Sequence, residues 1–94
     1  MTNFMILHYG FEQPTAEDME GWNQWFASIA DRQLERGGFA GGREITSSGI
    51  EDLPFAKDSL TGYTLIQADS LDEAEGIARD CPIVASTRVY EIRA

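Results

Sequence analysis

Residues 62–82, GYTLIQADSLDEAEGIARDCP, decide the fold, because they hold a strand, a helix start and a helix stop in succession. Tyr63, Leu65 and Ile66 belong to a short run rich in β-formers, which Asp69-Ser70 breaks. Ser70 is a good N-cap, and Glu73 three residues on completes a capping box. Beyond it, Leu71, Ala74, Ile77, Ala78 and Cys81 fall along one stripe, opposite Asp72, Glu73, Glu75, Arg79 and Asp80. That spacing predicts an amphipathic helix, and Pro82 stops it. A strand followed by a one-sided helix needs neighbours to cover its apolar stripe.

Working outward, residues 3–9, NFMILHY, are nearly continuous in apolar side chains, as a strand covered on both faces reads. Thr15 caps a helix, with Asp18 as its box partner and Glu17 at the positive end of the dipole. Met19, Trp22, Phe26, Ile29 and Ala30 recur at three- and four-residue steps, while Asp31, Arg32, Glu35 and Arg36 fill the other side. The spacing therefore predicts one long helix ending at Gly37-Gly38. A weak second strand is expected over 39–46, at a sheet edge. Residues 47–60, SSGIEDLPFAKDSL, lose periodicity and read as a long loop, of the kind that is usually functional or mobile. A last strand is expected over 86–93.

The order βαββαβ is the ferredoxin-like split β-α-β pattern, an α+β fold whose four-stranded antiparallel sheet has its first and third strands in the middle. Two helices cover one face of such a sheet, yet both apolar strands carry apolar residues on both parities. A homodimer packed through the open sheet face is expected, against the alternative of a one-sided sheet with a few exposed apolar residues.

The 94 residues are expected to form a single domain, 1–94, that buries only about 60–65% of its unfolded surface. Sixteen acidic against seven basic residues, a net charge of -9, oppose phosphate backbones and anionic lipid, so neither nucleic acid nor a membrane is an expected partner. The acidic excess falls mainly on solvent faces of the expected helices. Cys81, the one cysteine, has no internal disulfide partner and reads as a buried thiol. No apolar run is long enough for a span or a signal peptide, and the expected location is cytoplasmic. One His and one Cys make no tetrahedral metal set, and the glycine pairs lack the context of a phosphate loop. No metal and no cofactor are expected.

The candidate site residues are few. His8 ends the first strand, where an imidazole can exchange protons beside a cleft; the alternative is a core or interface histidine. Asp52, Pro54, Phe55 and Asp58 stand in the long loop, where Pro54 stiffens the backbone, Phe55 anchors it, and the carboxylates can face a pocket; the alternative is a rigid turn plugged by Phe55. Arg43 offers a fork for a substrate carboxylate or a surface ion pair. Trp22 and Tyr63 offer an aromatic wall and a phenol, or ordinary packing. Trp22 is expected in the core stripe of the first helix, with Trp25 at its border.

On these residues the chain resembles the YCII-related family, close to its branch named for a DGPF motif. Asp52-Leu53-Pro54-Phe55-Ala56-Lys57-Asp58 is similar to the DGPF segment, with Leu53 in place of its Gly, and LTGYTLIQADSLDEAEGIA (60–78) and STRVYEIRA (86–94) are similar to the stretches that follow it. The resemblance implies a dimeric α-β barrel and a kinship with dehydrochlorinase-like members. Members of the YCII branch carry a His in the first helix, paired with an Asp; this first helix has none, so that dyad does not carry over. The combined reading is a homodimer that binds a small organic molecule in a cleft between the sheet, the first helix and the 47–60 loop. Activity, if present, is proton transfer or elimination, with His8 as base and Asp52 or Asp58 in support. The alternatives are a non-catalytic accessory or interaction module and a structural dimer without a ligand.

Overall fold

The two most apolar stretches of the chain pair with each other. A computed structural model describes residues 1–93, in the order β1 (Thr2–Tyr9), α1 (Ala16–Ser28), β2 (Gln33–Gly38), β3 (Gly42–Thr46), β4 (Gly49–Leu53), β5 (Leu60–Ala68), α2 (Leu71–Arg79) and β6 (Ser86–Glu91). β1 and β5 lie side by side at the centre of a four-stranded antiparallel sheet, in the order β2-β5-β1-β6. With the β3-β4 hairpin set aside, this is the ferredoxin-like arrangement.

Strand alternation sets the layers. The register places Phe4 opposite Ile66 and Ile6 opposite Thr64, and all four side chains are fully buried. Trp25 and Ile29 from the first helical segment, Ala74 and Ala78 from α2, and Cys81 close over them as the core. Each Phe or Ile so buried contributes about 1.5–3 kcal/mol of transfer free energy. The other parity of the central strands, Met5, Leu7, Tyr63 and Leu65, is only partly covered, and Tyr90 of β6, paired with Met5, is exposed.

Both expected helix starts form. The Thr15 hydroxyl accepts from Asp18 N–H at 3.1 Å and the Asp18 carboxylate accepts from Thr15 N–H at 3.0 Å, a complete capping box. At α2 the Ser70 hydroxyl accepts from Glu73 N–H (3.1 Å), but the Glu73 carboxylate turns to Asp69 N–H (3.1 Å) and to the Arg32 guanidinium. Those two contacts hold the Glu73 carboxyl below the usual carboxylate range, the Arg32 hydrogen bond being the larger cause.

The first helix is shorter than its periodicity predicts. It ends at Ser28, where Arg32 and Gln33 N–H both turn back to the Ile29 carbonyl at 2.8 and 2.9 Å. Gln67 N–H then donates to Arg32 O at 2.9 Å, and the chain pairs with β5 from Gln33 onward. An unpaired flank on a central strand leaves backbone groups without partners, and supplying them outweighs the local helical preference of Leu34, Glu35 and Arg36. The sheet edge expected over 39–46 is thus formed by 33–38. Gly37 serves it by close approach, since a Cβ there would lie 2.6 Å from the Tyr63 ring.

The stretch expected as edge strand and loop instead folds into a second, two-stranded sheet. Here β3 pairs with β4, placing Arg43 opposite Asp52, Glu44 opposite Glu51 and Ile45 opposite Ile50. Every residue of this hairpin is exposed, with Ile45 at 76% and Ile50 at 65%. Among the described residues, neither of its strands makes a backbone approach to another strand or helix. No described helix is long and apolar enough to cross a membrane.

Candidate functional site

The row of side chains that starts with Phe4 and Ile6 ends at His8, near the point where α1 no longer seals the sheet. A cavity of about 490 Å³ opens there. His8, Trp22, Phe26, Tyr63, Arg36 and Phe11 are among the residues that line it. Gly10 turns the chain out of β1 at a φ of 113°, a backbone conformation that favours glycine, and a Cβ at this position would meet Ala85 N at 2.6 Å. The chain is then stapled to the segment after β4. Gly10 N–H donates to Ser59 O at 2.8 Å, Phe11 N–H to Lys57 O at 3.0 Å, and the Phe55 ring meets Phe11 edge-on at 4.7 Å.

His8 is buried with both ring nitrogens facing polar partners. Its Nε2 lies 2.9 Å from Thr64 Oγ1 and its Nδ1 lies 4.0 Å from Cys81 Sγ, while the Thr61 hydroxyl donates to the His8 carbonyl at 3.1 Å. The edges of Trp22 and Trp25 close on the ring at centroid distances of 5.1 and 5.7 Å. Burial lowers the imidazole pKa to about 4, and burial pushes the Cys81 thiol up. Both groups are therefore neutral at pH 7. The Thr64 hydroxyl can pair with Nε2 in either tautomer, and the thiol contact at 4.0 Å is long, so the ring keeps a nitrogen able to accept a proton. A neutral imidazole so held is a fixed dipole at the cavity floor.

The wall beside it is a run of aromatic rings along α1. Trp22 stacks on Phe26 at 5.7 Å with an interplanar angle of 27°, and the Arg36 guanidinium lies 3.9 Å above the Phe26 centroid. Trp25, not Trp22, is the core tryptophan: it is 3% exposed and its indole N–H donates to the Ile77 carbonyl at 3.0 Å, tying α1 to α2. Trp22 is half-buried and faces the cavity. The expected order of the two is reversed: it is the Trp25 indole that reaches the Ile77 carbonyl of α2.

The structure brings His8 and Trp22 together, and Tyr63 borders the cavity from the strand position next to Thr64, its ring lying against Gly37 and Phe39 on the other sheet face. The remaining five lie elsewhere. Asp52 and Arg43 face each other on the exposed hairpin as an ion pair at 3.2 Å. Arg43, Pro54, Phe55 and Asp58 line a second recess of about 610 Å³ at the hairpin base. Phe55 reaches the first cavity only through Phe11. Neither aspartate lines the cavity that holds His8. Arg36 and Thr64 escaped sequence reasoning. Arg36 sat on the solvent side of an expected helix, and Thr64 inside an apolar strand; a hydroxyl one residue from the alternation of Tyr63 and Leu65 was its only signal.

An α+β sheet carrying a concave, aromatic-walled site at one end of its central strands is the class of protein that this geometry defines. The family model for the YCII-related domain matches residues 2–94, and the chain belongs to that family. Curated protein sequences give no match. Among solved structures, this chain is similar to the 5-chloro-2-hydroxyhydroquinone dehydrochlorinase TftG from Burkholderia phenoliruptrix AC1100, in complex with 2,5-dihydroxybenzoquinone. The TM-score is 0.61 at 16% identity, over 97% of this chain and 93% of that one. At that identity the likeness shows the fold.

The His8 environment carries a pH signature. Between its ordinary value of 6.5 and the folded value of about 4, the unfolded chain takes up a proton that the folded chain refuses. Stability is therefore lost as pH falls through that window, by up to about 3 kcal/mol. Urea unfolding of the wild type and of His8→Gln at pH 7 and pH 4.5 isolates this effect, since the carboxylates titrate in both proteins. The wild type is expected to lose more stability than the variant; equal losses would place His8 in solvent.

Proposed function

We propose that this chain binds a flat cyclic organic molecule in the cavity above His8, and that its chemistry there is proton transfer or elimination. The observation that carries the reading is a cavity of ring-accommodating size, about 490 Å³, walled by stacked aromatic side chains and floored by a buried imidazole. The structural relative TftG is named as a dehydrochlorinase and holds a benzoquinone, which supports a cyclic ligand and elimination chemistry here. With its conjugate acid near 4, His8 is a weak base at neutral pH. The reading therefore assigns it a substrate proton that is already acidic, such as that of a ring hydroxyl or of a carbon beside a ring carbonyl. Asp52 and Asp58 have no part in it, because both stand outside the cavity.

A second copy of the chain belongs to the same proposal. Met5, Leu7, Leu65 and Tyr90 share the sheet face that the helices do not cover, and packing two such faces together would remove that apolar surface from water. Light scattering is expected to give twice the 10.5 kDa chain mass, and Leu65→Glu to give a folded species of lower mass. A wild-type monomer at tens of micromolar would contradict this. A second functional reading, an interaction module without catalysis, draws on the exposed Ile45–Ile50 pair of the projecting hairpin.

Ligand binding separates the two readings. A panel of hydroxylated benzenes and quinones, followed by isothermal titration, is expected to contain binders. Trp22→Leu should weaken them about ten-fold, the scale of a lost aromatic contact with its buried area. His8→Gln should abolish any turnover while retaining binding. Failure of every ring compound to bind at millimolar concentration, with the hairpin intact, would favour the interaction module.

A further inference from the structure

The cavity holds one permanently charged cation, and its surroundings leave it free to act on a ligand. Arg36 lies on the edge strand β2, opposite Thr64 of β5, and so projects on the helix-covered side of the sheet. Its guanidinium is stacked 3.9 Å above Phe26. Stacking occupies the flat face of a guanidinium and leaves its in-plane N–H edges available, the geometry that forks a carboxylate or an anionic ring oxygen. Among the described residues no carboxylate forms an ion pair with Arg36, whereas Arg32, Arg43 and Arg79 are each paired with an acid. Arg88 is likewise without an ion-pair partner and lies over the Tyr9 ring, but among the described residues Arg36 is the arginine that lines this cavity.

We propose that Arg36 selects an anionic ligand: a planar ring carrying one carboxylate or ionised ring oxygen, which lies along Trp22 and Phe26 with its charged group at Arg36. This rests on the reading of the cavity as a ring-binding site. Arg36, Phe26, Trp22 and His8 form a continuous series of contacts along α1, each ring touching the next. One end of the series is cationic and the other is a neutral imidazole that exchanges hydrogen bonds. A ring bound between them therefore has a preferred direction, charge toward Arg36 and a neutral polar substituent toward His8. Glu12, the one carboxylate among the lining residues, also lines a smaller recess with Asp18 and Pro82. It forms no ion pair with Arg36. The fork earlier sought at Arg43 is closed there by Asp52.

The test compares 4-hydroxybenzoate with 4-hydroxybenzamide, which share size, shape and the ring hydroxyl but not charge, using the full chain and tryptophan fluorescence from Trp22 and Trp25. The wild type is expected to bind the acid about ten-fold or more tightly than the amide, the range of a charge-assisted hydrogen bond. Arg36→Gln should erase that preference, weakening the acid about ten-fold or more and the amide by much less, and the fold should survive the change because Arg36 is exposed. Arg36→Lys should restore it in part. Equal binding of acid and amide by the wild type, or a preference that survives Arg36→Gln, overturns the assignment while leaving the ring-binding cavity in place. Binding of neither compound at millimolar concentration overturns the cavity reading together with it.

Discussion

One register governs this molecule: β1 against β5, with Phe4, Ile6 and His8 on the same side as Ile66, Thr64 and Gly62. Strand alternation gives the three β1 residues no choice of face once Phe4 and Ile6 enter the core. The row is longer than the helical cover. Where the cover ends the sequence changes from Phe and Ile to His, and from Ile66 to Thr64 across the pair. The polar pair satisfies itself, Nε2 to Oγ1 at 2.9 Å, so the row can run out into a cavity without leaving a buried polar atom unpartnered. The described residues contain no such atom.

The same register fixes the other side of the sheet. Every residue that α1 and α2 cover has neighbours in sequence that they cannot cover, and in β1 and β5 those neighbours include Met5, Leu7, Tyr63 and Leu65. The molecule is correspondingly thin, 18 Å in its shortest dimension. The hairpin adds no cover to either layer. Its two opposed glutamates and its exposed isoleucine pair make it a surface arm; cross-strand like charges weaken an isolated ribbon, and two strands alone are marginal.

Much of the architecture could be read from residues 62–82 and 3–9, because there the local signals and the global fold agree. Ser70 caps, Pro82 follows a helix, and the apolar runs are the central strands. The misreadings have separate causes. Residues 29–36 keep a helical period of charge, but the unpaired flank of β5 claims the chain as a strand from Gln33 onward, a demand made by distant residues and invisible in a local window. β3 and β4 carry one isoleucine each, too little alternation to signal a hairpin, and the DLPF segment drew attention to the loop. For the site, His8 was legible at the end of a predicted strand and Trp22 on the apolar stripe of the first helix. Arg36 was not, since its place in the cavity depends on β2 existing. Arg43 reads in the sequence as an available fork, and only the β3-β4 pairing puts Asp52 opposite it.

Because His8 is the only histidine in the chain, its imidazole nitrogens give one unambiguous set of resonances in a long-range nitrogen–proton correlation spectrum. This account predicts a neutral ring at pH 5.5, with a titration midpoint near 4, and nitrogen shifts that move when a ring compound is added. An imidazole that titrates near 6.5 and ignores every ring ligand would contradict the placement of His8 at the floor of a binding cavity.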